Sequence, residues 1–159
     1  MYTPYTICPA VTSDAKDILA LQKTAYQSEA VLYNDWTIPP LTQSLDALIA
    51  EFSDHTILKA FTGEQHIAGS VRGHSEGETC MIGRLMVHPA HQRQGLGAAL
   101  VEHIEHCFPA VSRYTLFTGH RSESNIRLYR KLGYSISHTQ RLSAAVSLIH
   151  MEKRVHRTL

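Results

Sequence analysis

Gly95 and Gly97 lie two positions apart in the polar loop Gln92-Arg93-Gln94-Gly95-Leu96-Gly97, between an apolar segment and an amphipathic one. Because glycine has no side chain, the backbone N–H groups of such a turn stay uncovered, and a helix that starts there adds partial positive charge. These groups can hold a phosphate or pyrophosphate, with Arg93 as a nearby cation. An isolated G-x-G would more simply be a tight turn, so its neighbours decide the interpretation.

The neighbouring elements place this loop between a strand and a helix. The period-two pattern of Thr79–Val87 predicts a strand, which ends at His88-Pro89. After the loop, apolar residues recur at helical spacing, at Leu96, Leu100, Val101, Ile104 and Phe108. This uninterrupted order of strand, proline, glycine loop and helix favours anion binding over a simple turn.

The rest of the chain alternates between helical and strand patterns. Before the loop, the pattern predicts a strand at 5–9, a helix through Ile18, Leu21 and Ala25, and an aromatic loop at 30–40 in which Pro39-Pro40 stops any regular element. It then predicts a helix at 45–52 capped by Thr42 or Ser44, and strands at Thr56–Phe61 and 67–73 separated by Gly63-Glu64. After it come a strand at 114–118, a helix that ends at Gly133, and strands at 134–139 and 145–152. We therefore predict an α+β fold (α/β in looser usage), with a mixed, mostly antiparallel sheet flanked by helices.

Length and charge limit the classes of partner. The 159 residues fit one domain, over 1–159, and a net charge of +1 gives no strong field for nucleic acid or an anionic membrane. Cys8, Cys80 and Cys107 form no C-x-x-C pair, which indicates three reduced thiols. The sequence also carries no export signal and no apolar run long enough for a membrane span. We expect a cytoplasmic protein that binds neither nucleic acid nor membrane.

Eleven histidines raise the question of a metal site. The pairs His88/His91 and His103/His106 have a spacing that places two ligands on one helix face. Neither pair belongs to an H-E-x-x-H arrangement, and no nearby cysteine or carboxylate completes a tetrahedral set. We therefore predict no metal.

Two segments carry a resemblance to a known family. The run Leu85-Met86-Val87-His88-Pro89 followed by Gln92-Arg93-Gln94-Gly95-Leu96-Gly97-Ala98 resembles the R/Q-x-x-G-x-G/A signature of GNAT acetyltransferases. Downstream, Asn125-Ile126-Arg127-Leu128-Tyr129-Arg130-Lys131-Leu132-Gly133-Tyr134 resembles the family's L-Y-x-K-x-G-F/Y segment. The resemblance implies the GNAT fold and transfer of the acetyl group of acetyl-CoA to a primary amine, by direct attack on the thioester.

The resemblance also implies which residues bind the cofactor. The backbone of Leu85, Met86 and Val87 would pair with the pantetheine arm like an added strand, which unpaired edge groups make reasonable. The pyrophosphate would lie on Gln92, Arg93, Gln94, Gly95, Leu96, Gly97 and Ala98. The family asparagine seven positions before Tyr129 is here Ser122, and Asn125 lies four before it. We assign both to the cofactor site, although Ser122 is also a good helix cap.

Tyr129 matches the family tyrosine near the thioester sulfur. A phenol with an ordinary pKa near 10 can protonate or hydrogen bond to a departing thiolate. The general base is open, because Phe117 stands where many relatives have a glutamate. We favour His120, whose ordinary pKa is near neutrality, over Glu78 and His74. An amine can also lose its proton through water.

The predicted loop at 30–40 occupies the position of the acceptor pocket in relatives. Asp35 would attract a cationic amine, with Tyr33 or Trp36 stacked on it or facing it. The alternative is that Trp36 anchors the loop to the core. A small amine, an amino acid, a polyamine and a protein N-terminus are all possible acceptors, and a homodimer is a possible assembly.

Two other functions compete with catalysis. A non-catalytic acyl-CoA sensor would keep the phosphate loop but would need no group near the sulfur, so Tyr129 argues against it. A nucleotide-binding module ranks last, because G-x-x-x-x-G-K-S/T is absent from the sequence.

Overall fold

The computed structural model describes residues 4–63 and 66–155, which form an alternating series of helices and strands. The elements are β1 (Thr6–Pro9), α1 (Ala15–Ala25), α2 (Gln27–Tyr33), α3 (Pro39–Thr42), α4 (Leu45–Glu51), β2 (Thr56–Phe61), β3 (Ile67–Glu76), β4 (Thr79–Val87), α5 (Leu96–His106), β5 (Arg113–Gly119), α6 (Glu123–Lys131), β6 (Ser135–Arg141) and β7 (Ser147–Arg154). The predicted α+β class is confirmed.

The strands form one sheet of order β1-β2-β3-β4-β5-β7-β6. Every neighbouring pair is antiparallel except β4 and β5, which are parallel because α5 returns the chain across the sheet. The parallel pairing joins only Thr79 to Arg113, Cys80 to Tyr114 and Met81 to Thr115. Beyond these three pairs both strands continue, but they no longer bond to each other. This mostly antiparallel sheet matches the prediction.

Two apolar clusters hold helices against the sheet. The larger packs α5 onto the sheet through Leu96, Leu100, Val101 and Ile104, which are at most 1% exposed. These are the residues whose helical spacing predicted the helix. The smaller cluster packs α1 and α4 against β2. It consists of Ala15 and Ile18 on α1, Leu48 on α4 and Ile57 on β2.

The predicted loop at 30–40 is wrong in two places. Residues 30–33 belong to the helix α2, which ends where Asn34 takes a left-handed conformation with φ of 49°. Pro39 and Pro40 begin α3 instead of stopping a regular element, since proline suits the first helical turn. The cap of the next helix is confirmed, because Ser44 accepts a 3.1 Å hydrogen bond from the amide of Ala47.

Two smaller expectations also meet the structure. The strand expected at 67–73 continues to Glu76, so the turn before β4 is shorter than predicted. The turn at Gly63-Glu64 lies partly outside the described residues. Among the described helices, none is both long and apolar enough to cross a membrane.

Candidate functional site

The site begins at a bulge in β4. Ser70 pairs with Met86 and Arg72 pairs with Gly83, so Arg84 and Leu85 both lie opposite Val71. Arg84 takes a left-handed conformation with φ of 51°, which is rare for a residue other than glycine. The bulge follows directly on the point where β4 leaves β5. It turns the second half of β4 away from its parallel neighbour.

The separation of the two strands opens a gap in the sheet. The backbone groups of Leu85, Met86 and Val87 that point toward β5 have no strand partner there, because the recorded pairs end at Met81. The carbonyl of Leu85 accepts a 3.2 Å hydrogen bond from the hydroxyl of Tyr26. The segment predicted to pair with an extended ligand therefore lies along an open strand edge.

The glycine loop lies at the end of this gap, where α5 starts. Arg93 and Gly95 both have positive φ, of 62° and 81°. The first bond of the helix runs from the amide of Ala99 to the carbonyl of Gly95 at 3.1 Å, so the amides of 96–98 have no partner within the helix. In the described part of the chain no side chain caps this helix start. The arrangement fits an anion, as predicted.

Two residues of the loop, Gln94 and Gly97, have structural roles. Gln94 points its side chain at β1, where its Oε1 accepts a 2.7 Å hydrogen bond from the hydroxyl of Tyr5. Gly97 lies where β4, α5 and α6 meet, and a Cβ atom there would contact Leu128 at 3.3 Å. A larger residue at 97 would thus press on Leu128 of α6 and on Leu85 and Val87 of β4.

A cavity of 510 Å³ lies between the separated strands. Residues 82–85 of β4 and 116–119 of β5 form two of its walls, and α2 and α6 contribute Glu29, Tyr33, Asn125 and Tyr129. A larger cavity of 710 Å³ lies beside α1 and is lined by Asp17, Thr24, His66, His88 and other residues. Tyr129 does not line this larger cavity but does line the smaller one, so we assign the site to the smaller cavity.

Tyr129 lies on the buried face of α6 and is 5% exposed. Its hydroxyl has no hydrogen-bond partner among residues 4–63 and 66–155, which leaves it available to a molecule in the cavity. Burial raises the pKa of Tyr129 above its ordinary value, and the nearby Tyr26 and Glu29 raise the same pKa further. The phenol therefore keeps its proton at neutral pH and can act as an acid.

Glu29 and Arg84 line the cavity but were missed by sequence reasoning. Glu29 was missed because α2 was not predicted, so nothing indicated which way its residues face. It accepts a 2.7 Å hydrogen bond from the Oγ of Ser122. Arg84 carries no sequence signal of a bulge, because glycine and asparagine are the residues expected at positive φ.

The predicted base candidates lie in three different places. His120 is exposed and does not line the cavity, and its Nδ1 accepts a 3.0 Å hydrogen bond from the amide of Ser147. Glu78 is exposed at the far end of β4. His74 does line the cavity, with its Nε2 at 3.6 Å from Glu76. Phe117, at the family's glutamate position, is 52% exposed at the cavity wall.

The predicted acceptor residues are not all brought together. Tyr33 lines the cavity, and its hydroxyl accepts a 2.9 Å hydrogen bond from the amide of Arg121. Asp35 does not line the cavity and instead accepts hydrogen bonds from Thr37, which hold the pKa of Asp35 below its ordinary value. Trp36 is 55% exposed and also lies outside the cavity lining.

The predicted cofactor residues on α6 differ in position. Asn125 lines the cavity and donates a 3.3 Å hydrogen bond to Oγ1 of Thr118. Ser122 is buried at the start of α6, and its hydroxyl bonds to Glu29 and lies 3.2 Å from that of Tyr33. Its side chain does not cap α6. In the described part of the chain no group of three or more metal-ligating side chains could hold an ion.

A comparison with family models matches residues 16–134 to the acetyltransferase (GNAT) family. The chain belongs to the GNAT family. The match includes both the glycine loop and the segment with Tyr129. The gap between β4 and β5, the glycine loop and Tyr129 therefore all lie within the GNAT domain.

Solved structures give the same fold at low sequence identity. The PaiA N-acetyltransferase of Thermoplasma acidophilum, in complex with coenzyme A, has a TM-score of 0.80 at 15% identity, over 96% of this chain and 100% of that one. The ribosomal-protein-S18-alanine N-acetyltransferase of Escherichia coli has a TM-score of 0.80 at 18% identity, over 97% and 96%. A GNAT acetyltransferase of Streptococcus pneumoniae has a TM-score of 0.76 at 17% identity, over 96% and 99%. A search of curated protein sequences found no significant match.

Proposed function

We propose that the protein is an N-acetyltransferase that transfers the acetyl group of acetyl-CoA to a primary amine. The observation that carries this proposal is the position of Tyr129, whose hydroxyl faces a cavity along the gap between β4 and β5. A binding-only domain would need the gap and the loop, but it would need no protonated phenol at the cavity. Catalysis therefore explains one more feature than an acyl-CoA sensor does.

The residues around the gap fit acetyl-CoA. An extended pantetheine arm carries amide groups that suit the open strand edge of Leu85, Met86 and Val87, where the carbonyl of Leu85 already accepts a hydrogen bond from Tyr26. A pyrophosphate suits the unpaired amides at the start of α5 and the cation of Arg93. We keep Asn125 and Ser122 as proposed cofactor residues. The Thermoplasma neighbour contains coenzyme A, which supports the same assignment.

The reaction requires one proton to leave the amine and one to reach the sulfur. Acetyl-CoA supplies an activated acetyl group and a thiolate leaving group. The neutral amine forms a C–N bond to the acetyl carbon while the C–S bond breaks. We assign the donor of a hydrogen bond or proton to the sulfur to Tyr129, because it lines the cavity and its hydroxyl has no partner among the described residues.

We assign the carboxylate that receives the amine to Glu29. It lines the cavity, and it lies near enough to Tyr129 to raise the pKa of that phenol. A carboxylate there can hold an ammonium group and take up its proton, directly or through water. The earlier candidates His120, Asp35 and Trp36 stay predictions, although they lie outside the cavity lining.

We further propose that the enzyme works in the cytoplasm. Cys8, Cys80 and Cys107 are all free thiols, which is typical of reducing compartments. Assembly into a homodimer stays a prediction. Light scattering on the purified protein would test it directly.

The test of the proposed function is incubation with acetyl-CoA and a panel of primary amines. Released CoA is followed by chromatography, because Cys107 is an exposed protein thiol that would react with a colorimetric thiol reagent. We expect one amine class to accelerate CoA release well above the rate without amine. If calorimetry detects acetyl-CoA binding but no amine is acetylated, the sensor function replaces the catalytic one.

A further inference from the structure

Arg84 is a cation inside the acceptor cavity without a counter-ion. Its side chain lines the cavity, and its Nε is buried with no hydrogen-bond partner among the described residues. A buried guanidinium nitrogen that lacks a partner is costly, and a bound molecule that accepts its hydrogen bond removes that cost. The left-handed bulge fixes Arg84 at the point where β4 and β5 separate.

Arg72 lines the same cavity and provides a comparison. The Nε of Arg72 is also unpartnered, but its terminal nitrogens hydrogen bond to Gln22, Gln43 and Glu51, the last at 3.1 Å. Glu51 therefore neutralises Arg72. No carboxylate in the described part of the chain lies within ion-pair distance of Arg84. Of the two arginines in the cavity, Arg84 is the one that lacks an anion.

The other charged groups of the cavity are accounted for, with one exception. His74 faces Glu76, and His55 faces Glu51 and Asp54. Glu29 accepts a hydrogen bond from a neutral hydroxyl and makes no ion pair with a described basic residue. The cavity thus presents one free anion, Glu29, and one free cation, Arg84. Both charges affect the pKa of Tyr26, which Arg84 lowers and Glu29 raises. The hydroxyl of Tyr26 donates a hydrogen bond to the carbonyl of Leu85 in β4.

The remaining wall of the cavity is mostly apolar. Its residues include Ile38, Met81, Leu116, Phe117, Leu142 and Leu148. Phe117 and Leu142 are 52% and 56% exposed, so their apolar surface is free to contact a bound molecule. Burial of an apolar group against such a wall favours binding at about 25 cal/mol per Å² of surface.

We propose that the acceptor is a small primary amine that also carries an oxyanion group, in its simplest form an α-amino acid with an apolar side chain. Glu29 receives the ammonium group beside Tyr129, Arg84 binds the carboxylate through charge-assisted hydrogen bonds, and the apolar wall receives the side chain. This inference rests on the proposed function, because it names the substrate class of the same site.

The charge pattern also separates this class from the other acceptors. A polyamine would place a second cation near Arg84, which like charges disfavour. The N-terminal residue of a protein offers a peptide carbonyl in place of the carboxylate, so Arg84 would lose its counter-ion. Free amino acids therefore use both charged groups of the cavity, while the other two classes use one.

The test compares three forms of the same ligand. L-phenylalanine, L-phenylalaninamide and 2-phenylethylamine differ in the carboxylate alone or nearly so, and leucine with its amide and 3-methylbutylamine gives a second series. Binding is measured by calorimetry with saturating CoA present, so no turnover is needed. We expect the amino acid to bind roughly 10- to 100-fold more tightly than its amide, as for hydrogen bonds to a charged group.

Variants of Arg84 locate the origin of this preference. Arg84→Gln should remove the preference for the carboxylate without weakening the two forms that lack a carboxylate, whereas Arg84→Lys should restore part of the preference. Arg141→Gln, which removes an exposed arginine on β6, is the matched control and should change nothing. Circular dichroism verifies that each variant is folded.

The outcomes distinguish the two proposals. The inference is overturned if the amino acid, its amide and the amine bind equally, or if neither phenylalanine nor leucine binds. This holds even if acetyl-CoA binds normally. A loss of acetyl-CoA affinity in Arg84→Gln also overturns it, since Arg84 would then serve the cofactor. Failure of the wild-type protein to bind acetyl-CoA refutes the proposed function instead, and the ligand series without CoA then still measures the carboxylate preference.

Discussion

The Oγ of Ser122 donates a 2.7 Å hydrogen bond to Oε2 of Glu29, across 93 positions of the chain. The bond joins α2, which lies on the acceptor side of the cavity, to the start of α6, which carries Tyr129. The proposed acceptor carboxylate is therefore linked through Ser122 to the helix that carries the proposed acid. A change at Ser122 should disturb both at once.

The first prediction compares two carboxylates. Glu29→Gln should raise the KM for the amine by about 10-fold and lower kcat as well, because it removes the charge that meets the ammonium group and takes its proton. Asp35→Asn is the matched change at the residue that the sequence indicated, and we expect a smaller effect because Asp35 lies outside the cavity lining. Steady-state kinetics on both variants decide. A larger KM change at Asp35 would return the acceptor site to the 30–40 segment.

The second prediction concerns the acid. Tyr129→Phe keeps the ring but removes the hydroxyl, so kcat should fall by about 10²-fold, as for a lost general acid. Acetyl-CoA affinity and the melting temperature should change little. Unchanged turnover would make Tyr129 a packing residue only.

The third prediction follows from the raised pKa of Tyr129. An ordinary tyrosine loses its proton near pH 10, but burial holds the pKa of Tyr129 higher in the folded protein. The folded state therefore keeps this proton while the unfolded state loses it, so stability is full below about pH 10 and declines above it. Thermal melts across this range should show a smaller alkaline decline for Tyr129→Phe than for the wild type. Identical declines would mean that Tyr129 contributes nothing to the alkaline decline, which would then come from other groups such as Tyr26 and Tyr134, whose pKa values burial also raises.

The fourth prediction concerns the loop at the start of α5. Gly97→Asp would place a side chain and a negative charge where β4, α5 and α6 meet, so acetyl-CoA affinity should be lost. Gly63→Asp is the control, because a Cβ atom at Gly63 meets nothing within 4 Å. Calorimetry on both folded variants makes the comparison. Normal affinity in Gly97→Asp would show that the cofactor lies elsewhere.

The fifth prediction concerns the contact between Gly119 and Tyr33. A Cβ atom at Gly119 would overlap the hydroxyl of Tyr33, so Gly119→Ala should destabilise the protein by about 1–3 kcal/mol, as overpacking usually does. Tyr33→Ala removes the obstacle, so the same glycine change should cost much less in that background. Denaturant unfolding of the four proteins gives the coupling. Additive effects would mean that Tyr33 is not what Gly119 must avoid.

The sequence predicted the parts of the fold that depend on periodic burial. The α5 helix was predicted from apolar residues at helical spacing, and those residues are buried against the sheet. The α2 helix was missed because Ala30 is the only one of its seven residues that is buried. The sequence therefore has no apolar periodicity there that predicts a helix. Glu29, which lies on that helix, was missed for the same reason.

The part of the candidate site that depends on glycine, the loop at the start of α5, was predictable from the sequence. Gly95 and Gly97 marked the helix start correctly, and Gly95 does have positive φ. The bulge of β4 depends on Arg84, whose residue type gives no such signal, because long side chains rarely take a left-handed conformation. That Arg84 and Glu29 are the cavity charges without an ion pair among the described residues depends on which contacts the other charges make, and that is a property of the folded chain.

The short parallel pairing of β4 with β5 leaves an opening in the sheet beyond Met81, where β4 no longer pairs with β5. If the pantetheine arm fills that opening, each bound cofactor repairs the sheet, and binding at 100 times Kd would add about 2.7 kcal/mol to the free energy of unfolding. The acetyl-CoA concentration would then affect the amount of folded protein as well as the rate of the reaction. Without bound acetyl-CoA, the protein would unfold more often along β4 and proteases would degrade it sooner. Its abundance in the cell would therefore fall when the acetyl-CoA concentration falls.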